Sequence, residues 1–458
     1  MTTLVRPPAS PSSVPPVAAD MPALLQTLIG IFRPLPYAKK LHKRYGDVFT
    51  LEFANASYTM VVHPQGVQEI FTASPDLFKS GEANRQFMQA SMGDNSMLLL
   101  DGKRHQRQRK LLMPPFHGER MRAYGQLMCD ITEEVMHQQQ VGKPFIIREA
   151  TQEISLRVIL RAVFGLDVGG RYDRLRQLLK ALLDASGTLL GSAMTFLPVL
   201  RQDWGAWSPW GHYLRLKQRV DELIYAEIAD RRENPDRAGE DILSLLMAAR
   251  DEAGEAMSDV ELRDELMTLL FAGHETTATA LAWAFYWVHR DREILEKLRS
   301  ELDSVDWQTD PFAITKLPYL NAVCSETLRI YPVAVATFAR VLQAPFEVMG
   351  YRCEPGTALL PHIYLIHHRE DLYPEPDRFN PDRFLERKYS AYEFLPFGGG
   401  NRRCIGYAFA QYEMKLVLAT ALSQMKLTPV NRRPVRPVRR GLTMSPSGGV
   451  RMVLEGWR

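Results

Sequence analysis

The chain has few cysteines, almost no net charge and no long uninterrupted apolar run. Each shortage removes a class of protein. Its four cysteines, Cys129, Cys324, Cys353 and Cys404, are scattered, and no two form a C-x-x-C pair. That argues against a disulfide framework or a zinc ribbon and leaves no clustered thiols for an iron–sulfur centre. Sparse thiols suit a reducing, cytoplasmic setting. A net charge of +3 over 458 residues gives no support for a nucleic-acid partner, which needs a concentrated basic face. The apolar stretch 22–32 contains Gln26 and Thr27 and is followed by Pro34 and Pro36. A membrane span takes roughly 20 apolar residues, so a packing or surface helix is expected here and no transmembrane anchor. Pro7, Pro8, Pro11, Pro15 and Pro16 break the N-terminus before any signal-peptide core can form. Residues 1–20 are expected to be a flexible Pro-rich tail, and 21–458 a single domain. There is no G-x-G-x-x-G run to mark a dinucleotide site.

What is present is a globular composition, 46% hydrophobic and 24% charged, with helical periodicity over most of its length. Residues 64–140 are mostly helical in pattern, and amphipathic stretches follow at 151–164, 171–183 and 211–232. Residues 49–62 form two β-prone runs around Asn55-Ala56-Ser57, a hairpin pattern. Short strand-like pieces return near 346–349 and in the last thirty residues. The expected fold class is mainly α with a minor β-sheet region.

One helix, 258–289, stands apart. Ser258 and Glu261 make a capping box at its start, and about 1.5 Å per residue makes it roughly 45 Å long. Its middle reads Phe271-Ala272-Gly273-His274-Glu275-Thr276-Thr277, a poor helix sequence because of the interior glycine and threonines. A local rule broken inside a well-capped helix points to a functional site. A glycine for close helix packing beside a solvated glutamate explains the segment equally well. His274 is not part of a His-Glu-x-x-His zinc motif, because position 278 is Ala278.

The second unusual stretch is Phe397-Gly398-Gly399-Gly400-Asn401-Arg402-Arg403-Cys404-Ile405-Gly406, followed by a helical run over 407–424. A thiol just before a helix N-terminus, with Arg402 and Arg403 beside it, is placed to favour the thiolate. The glycines allow the backbone close to a flat ligand. A buried structural cysteine next to a Gly-rich turn is the alternative.

Phe397, Gly400, Arg402, Cys404 and Gly406 match Phe-x-x-Gly-x-Arg-x-Cys-x-Gly, and on that motif the chain resembles the cytochrome P450 family. Three further motifs are similar and fall in the family's order: Ala272-Gly273-x-Glu275-Thr276-Thr277, Glu326-Thr327-Leu328-Arg329, and Phe379-x-Pro381-Asp382-Arg383-Phe384. The resemblance implies a P450 fold with the long central helix over haem b and Cys404 as axial ligand to its iron. It implies Thr276 and Glu275 as the acid–alcohol pair that delivers protons, with a π-bulge near Ala272 and Gly273 freeing carbonyls to hold water. It implies His105, Arg109, Arg340 and Arg402 as partners of the haem propionates, with Ala272, Phe397, Gly398 and Gly406 against the ring. Glu326, Arg329 and Arg383 would form a buried network bracing the cysteine loop. Without the resemblance, Glu326 and Arg329 read as a surface i,i+3 pair. Pro332 should end their helix at about Tyr331.

The activity so implied is hydroxylation of an apolar small molecule by a monomeric monooxygenase. The overall pattern is similar to bacterial fatty-acid and terpene hydroxylases. Apolar segments 88–98, 189–210, 269–276, 333–338 and 443–446 would line the pocket. Electrons would come from a separate ferredoxin or flavodoxin, docked on a basic face of Arg104, Arg107, Lys110, Arg120, Arg122 and Arg403. The alternatives are a peroxide-driven haem-thiolate enzyme and a non-catalytic haem-binding protein; the Glu275-Thr276 pair argues against both.

Overall fold

The structure, a computed structural model, describes residues 14–458 apart from 117, 119, 166–168, 238 and 432. Helices dominate, and the strands gather at one side. Strands β1 (Val48–Phe53) and β2 (Ala56–Val61) pair antiparallel with Phe53 opposite Ala56. The turn is therefore Ala54-Asn55, slightly earlier than the sequence suggests, because that register leaves the two-residue loop hairpins favour. Strands β3 (Phe78–Lys79), β4 (Arg340–Leu342) and β5 (Ala358–Pro361) complete a five-stranded sheet of order β1-β2-β5-β4-β3.

The expected flexible tail is cut short by this sheet. Residues 1–13 lie outside the described residues, but Val17 bridges to Thr50 and the Ala18 amide donates to the Thr50 carbonyl at 2.8 Å. Ala18 is fully buried. Proline at 15 and 16 does not prevent this, since an extended edge segment needs only alternate amides.

Helices that contribute to the site include α1 (Ala23–Phe32), α2 (Gly102–Leu112), α3 (Ile147–Phe164), α4 (Leu189–Phe196), α5 (Asp259–Arg290), α6 (Pro318–Ile330) and α7 (Tyr407–Gln424). Helix α5 runs through the middle, and the Ser258–Glu261 capping box is formed in both directions. It is buried on nearly every face, with Leu266, Leu281, Trp283 and Phe285 inaccessible, as a core helix must be. Helix α3 packs along it, and Gly273 permits that approach: a Cβ there would stand 3.0 Å from Cδ1 of Ile159. Helix α6 stops at Ile330, with Tyr331 as C-cap ahead of Pro332. After α7 the chain makes another hairpin, β6 (Pro437–Arg440) and β7 (Thr443–Pro446), with Arg440 opposite Thr443. Among the described residues no helix is long and apolar enough to cross a membrane.

Candidate active site

The cysteine loop precedes α7 in the chain, and its backbone is shaped by glycine. Gly398 and Gly400 have φ of 64° and 63°, where a side chain would be strained. A Cβ on Gly399 would lie 2.1 Å from the Phe71 ring, so that position admits nothing larger. The Cys404 amide donates to the Phe397 carbonyl at 3.0 Å, closing the loop, and Gly406 is the N-cap of α7. Cys404 is closely surrounded but retains exposed surface on one side. Burial pushes its thiol up from the ordinary range, against the Gly406 amide and the Arg109 and Arg403 charges, which favour the thiolate. The helix end and arginines expected to stabilise the anion are in place, yet desolvation outweighs them.

Four sequence-predicted cationic groups converge near this loop. His105 and Arg109 share a face of α2. Arg340 comes from β4; it donates from Nη2 to the Gly399 carbonyl at 2.8 Å and leaves Nη1 buried without a partner. Arg402 reaches the Leu100 carbonyl and the Asp101 carboxylate, each at 2.6 Å. Burial and mutual repulsion weaken all four as cations. Arg340 and Arg402 are lowered to about 10, and His105 to about 3, by burial first and then by neighbouring arginines. Asp101 is the carboxylate that Arg402 and His105 meet, and it already accepts the Ser80 and Gly81 amides. Crowded buried cations with so little negative charge are stable only with an added anion. The carboxylates of a haem meet that need, and the glycine loop suits its flat ring.

Beneath the loop, Glu326 and Arg329 are both fully buried and paired twice, at 2.6 and 2.8 Å. Arg383 adds a contact to Glu326 at 3.3 Å. The surface-pair alternative is thereby excluded. Arg329 also donates from Nη1 to the carbonyls of His367 and Pro376, each at 2.8 Å. The Leu395 amide donates to Nε2 of that same His367 at 3.0 Å. Sequence reasoning missed His367. It carries the network across to residue 395, and burial keeps it neutral by lowering its pKa well below the ordinary value.

On α5, Thr276 donates from Oγ1 to the Ala272 carbonyl at 2.6 Å, and Thr277 to the Gly273 carbonyl at 3.0 Å. The helix is continuous α throughout, so the expected π-bulge is absent. The Thr276 and Thr277 hydroxyls bond back to the Ala272 and Gly273 carbonyls within this regular α geometry. Glu275 is not solvated. Arg148 of α3 donates to its Oε1 at 2.5 Å, Gln152 donates to Oε2 at 3.3 Å, and Arg440 of β6 stands 3.8 Å away.

Ala272, Glu275 and Thr276 line a cavity of about 450 Å³; Cys404 is not among its lining residues. The expected segments contribute Met88, Leu98, Phe196, Phe271, Val333 and Thr443. A second half of the wall was not foreseen: it comes from α1, from the β1–β2 hairpin, and from Leu360, His362 and Arg439.

The proposed basic face loses two members. Arg107 pairs with Asp251 at 2.5 Å and Glu261 at 3.0 Å, and Lys110 pairs with Glu252 at 2.6 Å. A loop more than 140 residues downstream neutralises them. Arg104, Arg120, Arg122 and Arg403 remain exposed, with Arg122 lying 4.7 Å over Phe312 and Arg403 lying 4.0 Å over Tyr407.

A helical scaffold with a glycine-shaped thiol loop, a cationic cluster and an apolar cavity fits the class of haem-dependent oxygenases. Comparison with known proteins gives the family. The Cytochrome P450 family model matches residues 27–451. A putative cytochrome P450 135B1 of Mycobacterium tuberculosis is 37% identical over 439 residues, covering 95% of this chain and 90% of the relative. A putative cytochrome P450 138 of the same species is 33% identical over 451 residues, covering 98% of each. Among solved structures, retinoic acid-bound cyanobacterial CYP120A1 superposes with a TM-score of 0.84 at 24% identity, covering 96% of this chain and 99% of that one. The heme domain of a cytochrome P450DA mutant gives 0.85 at 22%, covering 97% and 98%. The chain belongs to the cytochrome P450 family. It is accordingly a haem-thiolate monooxygenase of the P450 fold.

Proposed function

We propose that the protein hydroxylates an apolar small molecule of the fatty-acid or terpenoid kind, using haem b held by Cys404 and electrons from a separate ferredoxin or flavodoxin in the cytoplasm. The observation that carries this is the cavity: its wall is largely aliphatic and aromatic, and Glu275 and Thr276 stand on it. Cys404 would supply the thiolate ligand, and His105, Arg109, Arg340 and Arg402 would neutralise the propionates. Bound haem supplies the activation of dioxygen and the insertion of one oxygen atom into a C–H bond. Phe397, Gly398 and Gly406 of the cysteine loop would help to hold the group, and Ala272, which lines the cavity, would face it from helix α5.

The chain's own part in the reaction is proton handling and positioning. Thr276 Oγ1, bonded at rest to the Ala272 carbonyl, keeps its lone pairs free to accept from a water in the cavity. Glu275 is the nearest carboxylate in sequence, and the Arg148 and Gln152 contacts fix its orientation. A proton drawn past that carboxylate reaches the cavity through the hydroxyl. Electron delivery falls to a partner docked over the remaining exposed arginines, Arg104, Arg120, Arg122 and Arg403, which favour an acidic protein.

A spectral titration with fatty acids, terpenes and steroids, followed by turnover with ferredoxin and its reductase, tests the reading. Binding of an apolar ligand and a hydroxylated product support it. Turnover with peroxide alone, or none with any electron source, would replace it with one of the two alternatives.

A further inference from the structure

Arg439 and Arg440 are neighbours on strand β6 and both line the cavity. Strand alternation sends their side chains opposite ways. Arg440 has acidic company, with Asp184 at 3.6 Å and Glu275 at 3.8 Å. Arg439 turns toward α1 and α4 and finds none. Its guanidinium lies 4.8 Å over the Phe196 ring, and Nη2 donates to the Gly30 carbonyl at 3.3 Å. Nε is buried with no partner, and among the described residues no carboxylate lies within ion-pair range of any of its nitrogens. Burial alone lowers this arginine to about 10.

A guanidinium enclosed by protein without a counter-ion is costly, and a stable fold removes such a group or completes it. Here its own contacts are the Phe196 ring and the Gly30 carbonyl, and it lines a cavity whose wall is largely apolar, so the missing anion has to arrive through the cavity. A carboxylate matches a guanidinium, and Arg439 has donors left beyond its one contact to Gly30. We propose that Arg439 anchors the carboxylate of the substrate, which makes the ligand class an apolar carboxylic acid. The proposal rests on reading this cavity as the substrate site. Phe196 would then hold the guanidinium in place, and the apolar wall from α1 to Phe271 would take the hydrocarbon body.

The test uses the haem-loaded protein, titrated with dodecanoate and with methyl dodecanoate, and read by the Soret shift and independently by calorimetry. Dodecanoate is expected to bind about tenfold or more tighter than its ester, the usual contribution of a charged hydrogen-bonded contact. Arg439→Gln should remove that preference, weakening the acid about tenfold and leaving the ester unchanged, while Arg439→Lys keeps part of it. A rigid terpenoid acid that binds in place of dodecanoate and loses affinity in Arg439→Gln supports the same assignment. Equal binding of acid and ester by the unaltered protein overturns it, and that comparison needs no variant to fold. An acid affinity unmoved by Arg439→Gln also overturns it. Binding of the ester alone would sink the anchor but keep the apolar cavity. Binding of neither, with no terpene or steroid bound either, would sink both.

Discussion

Arg148 donates from Nη2 to Oε1 of Glu275 at 2.5 Å, joining helix α3 to the centre of α5. The same guanidinium donates to Ser445 Oγ at 2.9 Å and to Gln152 at 2.7 Å, so one side chain ties two helices and strand β7 around the carboxylate. Both partners are mostly buried. Arg148→Leu would strand Glu275 without its main counter-ion, at a cost of about 3 kcal/mol in guanidinium unfolding. Arg148→Leu combined with Glu275→Leu should recover part of that loss, because removing both charges leaves nothing unpaired. A double variant no more stable than the single one would show that the pair matters less than the packing.

Thr276 is expected to act through its hydroxyl and not through its bulk. Thr276→Val conserves volume, so unfolding should be nearly unchanged, while product formed per electron pair consumed falls about tenfold or more. Thr276→Ser should retain most of the coupling. Measuring product against reduced nicotinamide consumed decides it, and full coupling in the valine variant would remove Thr276 from proton delivery.

Glu326 faces Arg329 and Arg383 with no exposure to solvent. Glu326→Ala leaves two buried guanidinium groups short of their carboxylate and should cost about 3–5 kcal/mol. The loss should travel to the cysteine loop through His367 and Leu395, so the variant should also retain less haem at equal protein concentration. His367→Ala breaks only that last link and should lower haem retention with a smaller loss of stability.

Stability should fall on mild acidification. Burial lowers His274 and His289 to about 4, and His362 to about 3. Unfolded histidine takes up its proton near 6.5. Between those values the unfolded chain binds more protons than the folded one, so stability drops as pH falls from about 6.5 to about 4. Each such histidine contributes up to about 1.4 kcal/mol per pH unit in that window. Guanidinium midpoints from pH 7 to 4.5 should show the slope, and His289→Gln should flatten it. A flat profile over that range would contradict neutral burial.

Much of this fold is legible in the sequence because its signals are local. The Ser258–Glu261 capping box, the hairpin pattern after Val48, the proline after Tyr331 and the glycine run before Cys404 each act within a few residues. What stayed hidden depends on distant partners. Arg107 and Lys110 read as free surface charge, since nothing nearby in sequence announces Asp251 and Glu252. His367 belongs to no motif and works by lending one carbonyl and one ring nitrogen. The cavity wall from α1 and the β1–β2 hairpin looks like ordinary core, because an inward apolar side chain is the same whether it meets another side chain or a ligand. The π-bulge that the resemblance implied in α5 is absent, the helix keeping regular α geometry through 272–277 with Thr276 and Thr277 bonded back to the Ala272 and Gly273 carbonyls.

The assignment of Cys404 to the iron is tested most directly by the absorption spectrum of the reduced protein under carbon monoxide. Thiolate ligation should move the Soret band well to the red of its position in imidazole-ligated haem proteins, and Cys404→His should return it there with haem still bound. An imidazole-type spectrum from the unaltered, fully folded protein, or a red-shifted band that survives Cys404→His, would contradict the account.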